Sequence, residues 1–254
     1  MPTSVYELVI IADDFGLSGS VSKAIVELLR SGIVSATSAM MCEPLTKELL
    51  LLNKQYLSGR CGVHLQATKS RPLLAHNQVV SLTDSKGDFS EKWNSNLYML
   101  SELKAEWLAQ IEEFLMQGVG LTHIDSHHNV HLSDEVLRKF TNQLGNLYEA
   151  RVRQTANQLI REKSHAADCD ICLNSWTLSG KPVSDLVHEI EQLVESNSNL
   201  QRIEIISHPG FVDERLKDVS SATYSREFEF DELMKLPWLL DVNRFVIKNY
   251  RSKR

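Results

Sequence analysis

The feature that most limits the fold is an alternation. Short apolar runs rich in β-branched residues recur along the chain, and nearly every one is followed by a stretch with helical spacing. The first run, residues 5–12 (VYELVIIA), reads as a buried strand. It gives way to a helix through Ala24, Ile25, Leu28 and Leu29, capped by Ser18 or Ser20 and stopped by Ser31 and Gly32. Later strand-like runs cover 33–42, 61–66, 121–124, 151–155, 171–178 and 201–207. Predicted helices lie at 44–52, at 101–118 behind a capping Ser101, and at 133–144, 182–195 and 226–236, and a last helix opens at Pro237. Repeated β-α units imply a mostly parallel sheet covered by helices. About seven such strands favour an α/β fold of (β/α) barrel type over a doubly wound open sheet. No composition break or linker interrupts residues 1–254, so a single domain is expected. Residues 67–98 are polar and irregular, too long for an ordinary connector, and are expected to form a lid or an insertion.

Bulk properties exclude some partners. The formal net charge is −6, with no long basic block, which argues against nucleic acid as a partner. The short basic end from Lys248 to Arg254 reads as a solvated tail. No membrane-length apolar run and no signal-type start are visible, so the cytoplasm is the expected compartment and no membrane partner is expected. A homodimer is allowed but not indicated. Cys169 and Cys172 form a lone C-x-x-C far from Cys42 and Cys61, and all four are expected to be reduced, partly buried thiols. No glycine-rich phosphate loop follows the first strand, and no G-x-S-x-G elbow surrounds any serine.

The chemistry-bearing residues share a position. Four of the nine histidines fall within residues 121–131 (LTHIDSHHNVH), together with Asp125. Asp13 and Asp14 end the first strand, His64 ends the third, Asp125 and His127 end the fourth, and His208 ends a late one. In a (β/α) barrel, strand C-termini open into the active-site mouth, so these carboxylates and imidazoles are expected to meet there. Imidazole is the commonest protein ligand for transition metals, and a carboxylate beside it either binds or orients. Taken singly, each feature has a plainer explanation. The Asp13–Asp14 pair reads equally as a turn and helix cap, His64 as a core histidine, and His208-Pro-Gly as a turn. His127 and His131 stand four apart, so one is able to ligate while the other orients.

The sequence resembles the YdjC/ChbG-like carbohydrate deacetylases. The matching pieces are residues 12–18 (ADDFGLS), 31–38 (SGIVSATS), 62–65 (GVHL), 122–128 (THIDSHH) and 207–210 (SHPG), in the family's order. The resemblance implies a barrel-like, divalent-metal-dependent deacetylase of N-acetylated sugars, with chito-oligosaccharides the best-known substrate class. It implies metal ligands at Asp14, His64 and His127. Asp13 is the general base by analogy with polysaccharide deacetylases. Asn129 stands where the family commonly has a further histidine.

The expected mechanism is hydrolysis by metal-activated water, giving acetate and a free amino sugar. Asp13 takes the water's proton and His208 protonates the leaving amine, with His131 in reserve. Asp125, His128 and His131 are expected to support the ligands or contact substrate. The expected cofactor is Mg²⁺ or Zn²⁺; two imidazoles and a carboxylate suit zinc, while the family is often described with magnesium. Trp93 and Tyr98 are expected either to stack on sugar rings or to pack the 67–98 segment onto the barrel. Competing readings are a metal-dependent hydrolase of another amide or of a phosphoester, and an inactive sugar-binding barrel.

Overall fold

The computed structural model describes residues 5–154 and 167–251. In chain order the elements are β1 (Tyr6–Phe15), α1 (Gly19–Ser31), β2 (Ala36–Ala39), α2 (Thr46–Leu52), α3 (Lys54–Leu57), β3 (Cys61–Leu65), α4 (Leu100–Met116), β4 (His123–Ser126), α5 (Glu135–Leu147) and β5 (Arg151–Val152). They continue as β6 (Ile171–Leu173), α6 (Val183–Ser196), β7 (Arg202–Ser207), α7 (Glu214–Val219), α8 (Tyr224–Leu233), α9 (Leu236–Leu239) and β8 (Phe245–Ile247). The strands lie in the order β5-β4-β3-β2-β1-β7-β6, and every pairing is parallel. One edge of β1 pairs with β7; the other is shared by β2 near its C-terminal end and β8 near its N-terminal end. The sheet curls into a half-barrel. Arg153, just past β5, reaches Asp13 on β1 and Glu204 on β7 across the concave side. Among the described residues no pairing joins β5 to β6.

Both faces of the sheet are buried, as in parallel sheets covered by helices. Side chains alternate between faces with a period of two. Leu8, Ile10 and Ala12 pack outward into the main core with Val21, Ile25 and Leu28 of α1. Val9 and Ile11 turn inward to a smaller cluster with Ala36, Cys172, Ile206 and Tyr250. One step further along each strand, the inward positions become Asp13, Ser38, His64, Asp125 and His208. The same alternation that builds an apolar plug therefore ends each strand on a polar group at the mouth.

Several element boundaries differ from expectation. β2 covers only Ala36–Ala39, because Val34 is held in the turn after α1 (N–H to Leu28 O) and Met40 starts a turn that accepts from Glu43 N–H. Ser18 is the cap of α1, accepting from Val21 N–H at 3.2 Å. Ser101 is not a cap: α4 begins at Leu100, and the Met99 N–H before it donates to Ser81 Oγ. α5 begins at Glu135 rather than Ser133, with Asp134 as its cap. Between His208 and the helix expected at 226–236 lies a further helix, α7, behind a capping Asp213. β8 was not anticipated. Thr155, the end of the expected fifth strand, lies outside the described residues. No helix among the described residues is long and apolar enough to cross a membrane.

Candidate active site

Two adjacent aspartates face one cleft because β1 carries a bulge. Ala12 pairs with Thr37 and Phe15 with Ala39, so β1 spends three steps where β2 spends two. Asp14 takes up the extra residue at φ 69°. Asp is one of the few side chains that enters this left-handed region without a large penalty. A regular strand would send Asp13 and Asp14 to opposite faces. Instead both line a cleft of about 430 Å³ at the C-terminal ends of the strands. Gly16 follows at φ 101°, and a Cβ there would lie 2.0 Å from Thr46 Oγ1, so the turn into α1 closes only with glycine.

Asp14, His64 and His127 converge in this cleft. Their donor atoms all lie within 4.8 Å of one another, and all three residues are buried. Asp14 Oδ1 is 3.3 Å from His64 Nε2 and 3.1 Å from His127 Nδ1. The far side of the His64 ring is tied to Asp125 Oδ1 at 2.7 Å, and Ser38 Oγ bridges the same pair. A carboxylate on Nδ1 places that ring nitrogen's proton there and aims Nε2 at Asp14, the usual arrangement behind a metal-binding histidine. Burial works against charge on Asp14, but Arg226 (Nη2 to Oδ2, 2.6 Å), then His127 and His64, hold its carboxyl well below the usual range. Burial likewise disfavours a charged His64, yet Asp125, Asp13 and Asp14 prevail and raise its pKa to about 10. Two imidazoles and an ionised carboxylate around one point, with a carboxylate-backed histidine, form a donor set that fits a divalent transition cation.

A second acidic group, Asp13, His64 and Asp125, is already occupied by protein. Arg153 donates to both oxygens of Asp13 at 2.8 Å, and its Nη2 is 2.8 Å from Asp125 Oδ2 as well. Its Nε donates to Glu204 at 2.7 Å. Arg153 is 1% exposed, so this one guanidinium lies in low dielectric among three carboxylates. The bidentate clamp fixes the plane of the Asp13 carboxylate beside the cleft.

His208 lies at the end of β7 with Nε2 3.8 Å from Asp13 Oδ2 and Nδ1 2.8 Å from Thr177 Oγ1. Burial, partly opposed by Asp14 and Asp13, lowers its pKa to about 4. His128 also lines the cleft, stacked on His127 at 3.9 Å between ring centroids and bonded through Nδ1 to Thr68. His131 stands apart. Its Nδ1 meets Ser126 Oγ at 2.6 Å and its Nε2 meets Arg153 O at 3.1 Å, which places it behind the cleft supporting the Arg153 backbone. The four-residue spacing of His127 and His131 does not align them, because His128 and Asn129 both have positive φ (56° and 52°) and break the helical path. Asn129 lines the cleft in that left-handed conformation, which asparagine adopts readily.

Trp93 and Tyr98 do not line the cleft. They pack on each other at 4.6 Å and anchor to the start of α5 through Ser133 and Asp134. The 67–98 segment is further tied down by Glu106, which accepts from the Leu73 and Leu74 N–H groups, and only its Lys69 reaches the cleft lining. The sequence reading missed Arg153, Arg226, Glu204, Thr177 and Glu229. For Glu204 there was a signal: a charged residue at an inward position of an otherwise apolar strand. Arg226 and Glu229 sit on a helix of ordinary polar composition and gave none.

The model of the YdjC-like protein family matches residues 7–239. The chain belongs to the YdjC-like family. A carbohydrate deacetylase from Oceanobacillus iheyensis is 35% identical over 236 residues, covering 89% of this chain and 94% of the relative. A carbohydrate deacetylase from Clostridium beijerinckii is 29% identical, covering 89% and 90%. A solved structure from Enterococcus faecalis, described as a cellobiose-phosphate cleavage protein, superposes with a TM-score of 0.80 at 27% identity, covering 97% of this chain and 98% of the other.

Proposed function

We propose that this YdjC-like chain is a metal-dependent carbohydrate deacetylase. It removes the acetyl group from N-acetylated sugars of chito-oligosaccharide type and releases acetate and a free amino sugar. The observation that carries this reading is the convergence of Asp14, His64 and His127 on one point in an open cleft, with a separate carboxylate, Asp13, beside them. The names of the relatives support the substrate class.

Asp14, His64 and His127 hold the cation, and the nitrogen-rich donor set favours a transition ion such as Zn²⁺ over Mg²⁺. When bound, a divalent cation polarises an amide carbonyl and makes a water molecule acidic. Asp13, held by Arg153, accepts the water's proton as general base. His208 faces Asp13 across 3.8 Å and hands a proton to the leaving nitrogen, which departs as an amine. Arg226 keeps Asp14 ionised for its ligand role, and Asp125 orients His64 for the same purpose. A two-cation phosphoesterase is disfavoured, because Arg153 fills the second acidic group.

The test is acetate release from N-acetylglucosamine oligomers, with chelator and after re-addition of Zn²⁺ or Mg²⁺. Release that chelator abolishes and metal restores is expected. Folded protein that releases no acetate with any divalent ion would sink the reading.

A further inference from the structure

Behind His208, away from Asp13, is a buried carboxylate that the mechanism above does not use. Glu229 of α8 is 2% exposed. Its Oε1 accepts from the His208 N–H at 2.6 Å and its Oε2 from the Leu178 N–H at 2.7 Å. Thr177 Oγ1 lies 3.0 and 3.2 Å from the two oxygens, and the same hydroxyl is 2.8 Å from His208 Nδ1. The result is an unbroken line from a buried acid through one hydroxyl to the ring that faces the cleft.

A hydroxyl has one proton to donate, so this line has two settings. With Glu229 ionised, Thr177 donates to it and accepts from His208 Nδ1–H, leaving Nε2 bare toward the cleft. With Glu229 protonated, its O–H donates to Thr177 and Thr177 donates to Nδ1, so the neutral ring carries its proton on Nε2. We propose that Glu229, acting through Thr177, stores the proton that His208 delivers to the leaving nitrogen.

In that delivery the Nε2–H bond breaks and an N–H bond forms on the leaving nitrogen. The Thr177 proton moves to Nδ1 and the Glu229 proton moves to Thr177 Oγ1. The pair ends as an ionised carboxylate and a neutral Nδ1–H ring, and the nitrogen has gained the proton and the positive charge. Glu229 touches no reacting atom; it is a positioning residue that fixes which ring nitrogen is loaded.

The energetics favour this arrangement over a free imidazolium. Burial lowers the His208 pKa to about 4, so a lone imidazolium is scarce at neutral pH. Burial, partly offset by the Leu178 and His208 N–H groups, raises that of Glu229 to about 7, so its proton is exchangeable there. The charged and titratable groups facing the pair are Asp13 and Asp14 on β1, His64 on β3 and Arg226 one turn away on α8. Arg226 is paired with Asp14, and its charge also pulls the pKa of both Glu229 and His208 downward, against the burial of Glu229 and with that of His208.

The inference rests on the deacetylase reading only for the identity of the acceptor, so its test does not depend on turnover. The probe is ¹⁵N NMR of the His208 ring in the full chain, with the signal assigned by its loss in His208→Gln. Between roughly pH 9 and pH 5 the neutral ring should switch from Nδ1–H to Nε2–H, with a midpoint near the Glu229 pKa. Thr177→Val preserves shape and the two backbone bonds to Glu229 but should abolish the switch, and Thr177→Ser should restore it. With substrate, Thr177→Val should lower kcat roughly 10- to 100-fold with KM little changed, part of what general acid catalysis supplies. A wild-type ring that keeps one tautomer across the range, or a valine variant that switches like wild type, overturns the proposal. A switch without acetate release from any N-acetylated sugar leaves the relay standing and removes the substrate assignment. Acetate release without a switch removes the relay alone.

Discussion

Arg153 bears a single positive charge among Asp13, Asp125 and Glu204, all buried. Removing one partner of a buried ionic cluster leaves the others uncompensated, which typically costs about 3–5 kcal/mol. Arg153→Met should therefore lower the unfolding free energy obtained from urea titration by an amount in that range and abolish turnover, since Asp13 loses the clamp that orients it. A variant within about 1 kcal/mol of wild type would mean that the three carboxylates are relieved some other way. The same residue marks a limit of sequence reading. Asp13, Asp14, His64, His127 and His208 were legible because residue type and strand-end position coincide. Arg153 follows a two-residue strand, and a charged side chain on so short an element looks like surface until the sheet is curled around it.

At the scale of elements, the decisive departure from regularity is the bulge in β1. Strand periodicity alone separates Asp13 from Asp14, and no sequence rule states that the extra residue falls at Asp14. The reason for the glycine behind it lies in a contact with Thr46, thirty positions on, that only the fold supplies. Gly16→Ala combines a left-handed backbone with a steric clash and should destabilise by roughly 2–4 kcal/mol. Gly19→Ala, in the first turn of α1 with open space around it, should be neutral or slightly stabilising. Thermal unfolding of the pair checks this, and equal midpoints for the two would contradict the account of the bulge. β8 was missed for a related reason: three residues give no alternation to count, and the strand exists because the lower edge of β1 needs a partner.

For the whole molecule, the buried histidines set the acid response. Burial, the largest influence on each, lowers His123, His131 and His208 to about 4 from an ordinary 6.5. The folded chain then binds fewer protons there than the unfolded chain, so stability present above about 6.5 is lost as pH falls toward 4. Glu229 acts oppositely: its raised pKa makes stability decline as pH rises from 4.5 to about 7. Burial raises Glu204 in the same sense, so the three histidines stand against two carboxylates and give a net loss on acidification, at up to about 1.4 kcal/mol per pH unit for each histidine. In the metal-free chain the folded His64, raised to about 10, stays protonated throughout this window and opposes the trend only near pH 6.5, where the unfolded ring is partly neutral. Urea midpoints between roughly pH 6.5 and 4.5 should fall with pH; a flat or rising profile would show that these rings are not buried neutral. In the proposed mechanism Asp14 binds the cation while its neighbour Asp13 acts on water, two roles separated by one bulge. This division is tested most directly by bound divalent metal per chain in Asp13→Asn and Asp14→Asn, measured on folded protein. The account predicts metal retained with turnover lost in the first and metal lost in the second; metal lost only from the Asp13 variant would contradict it.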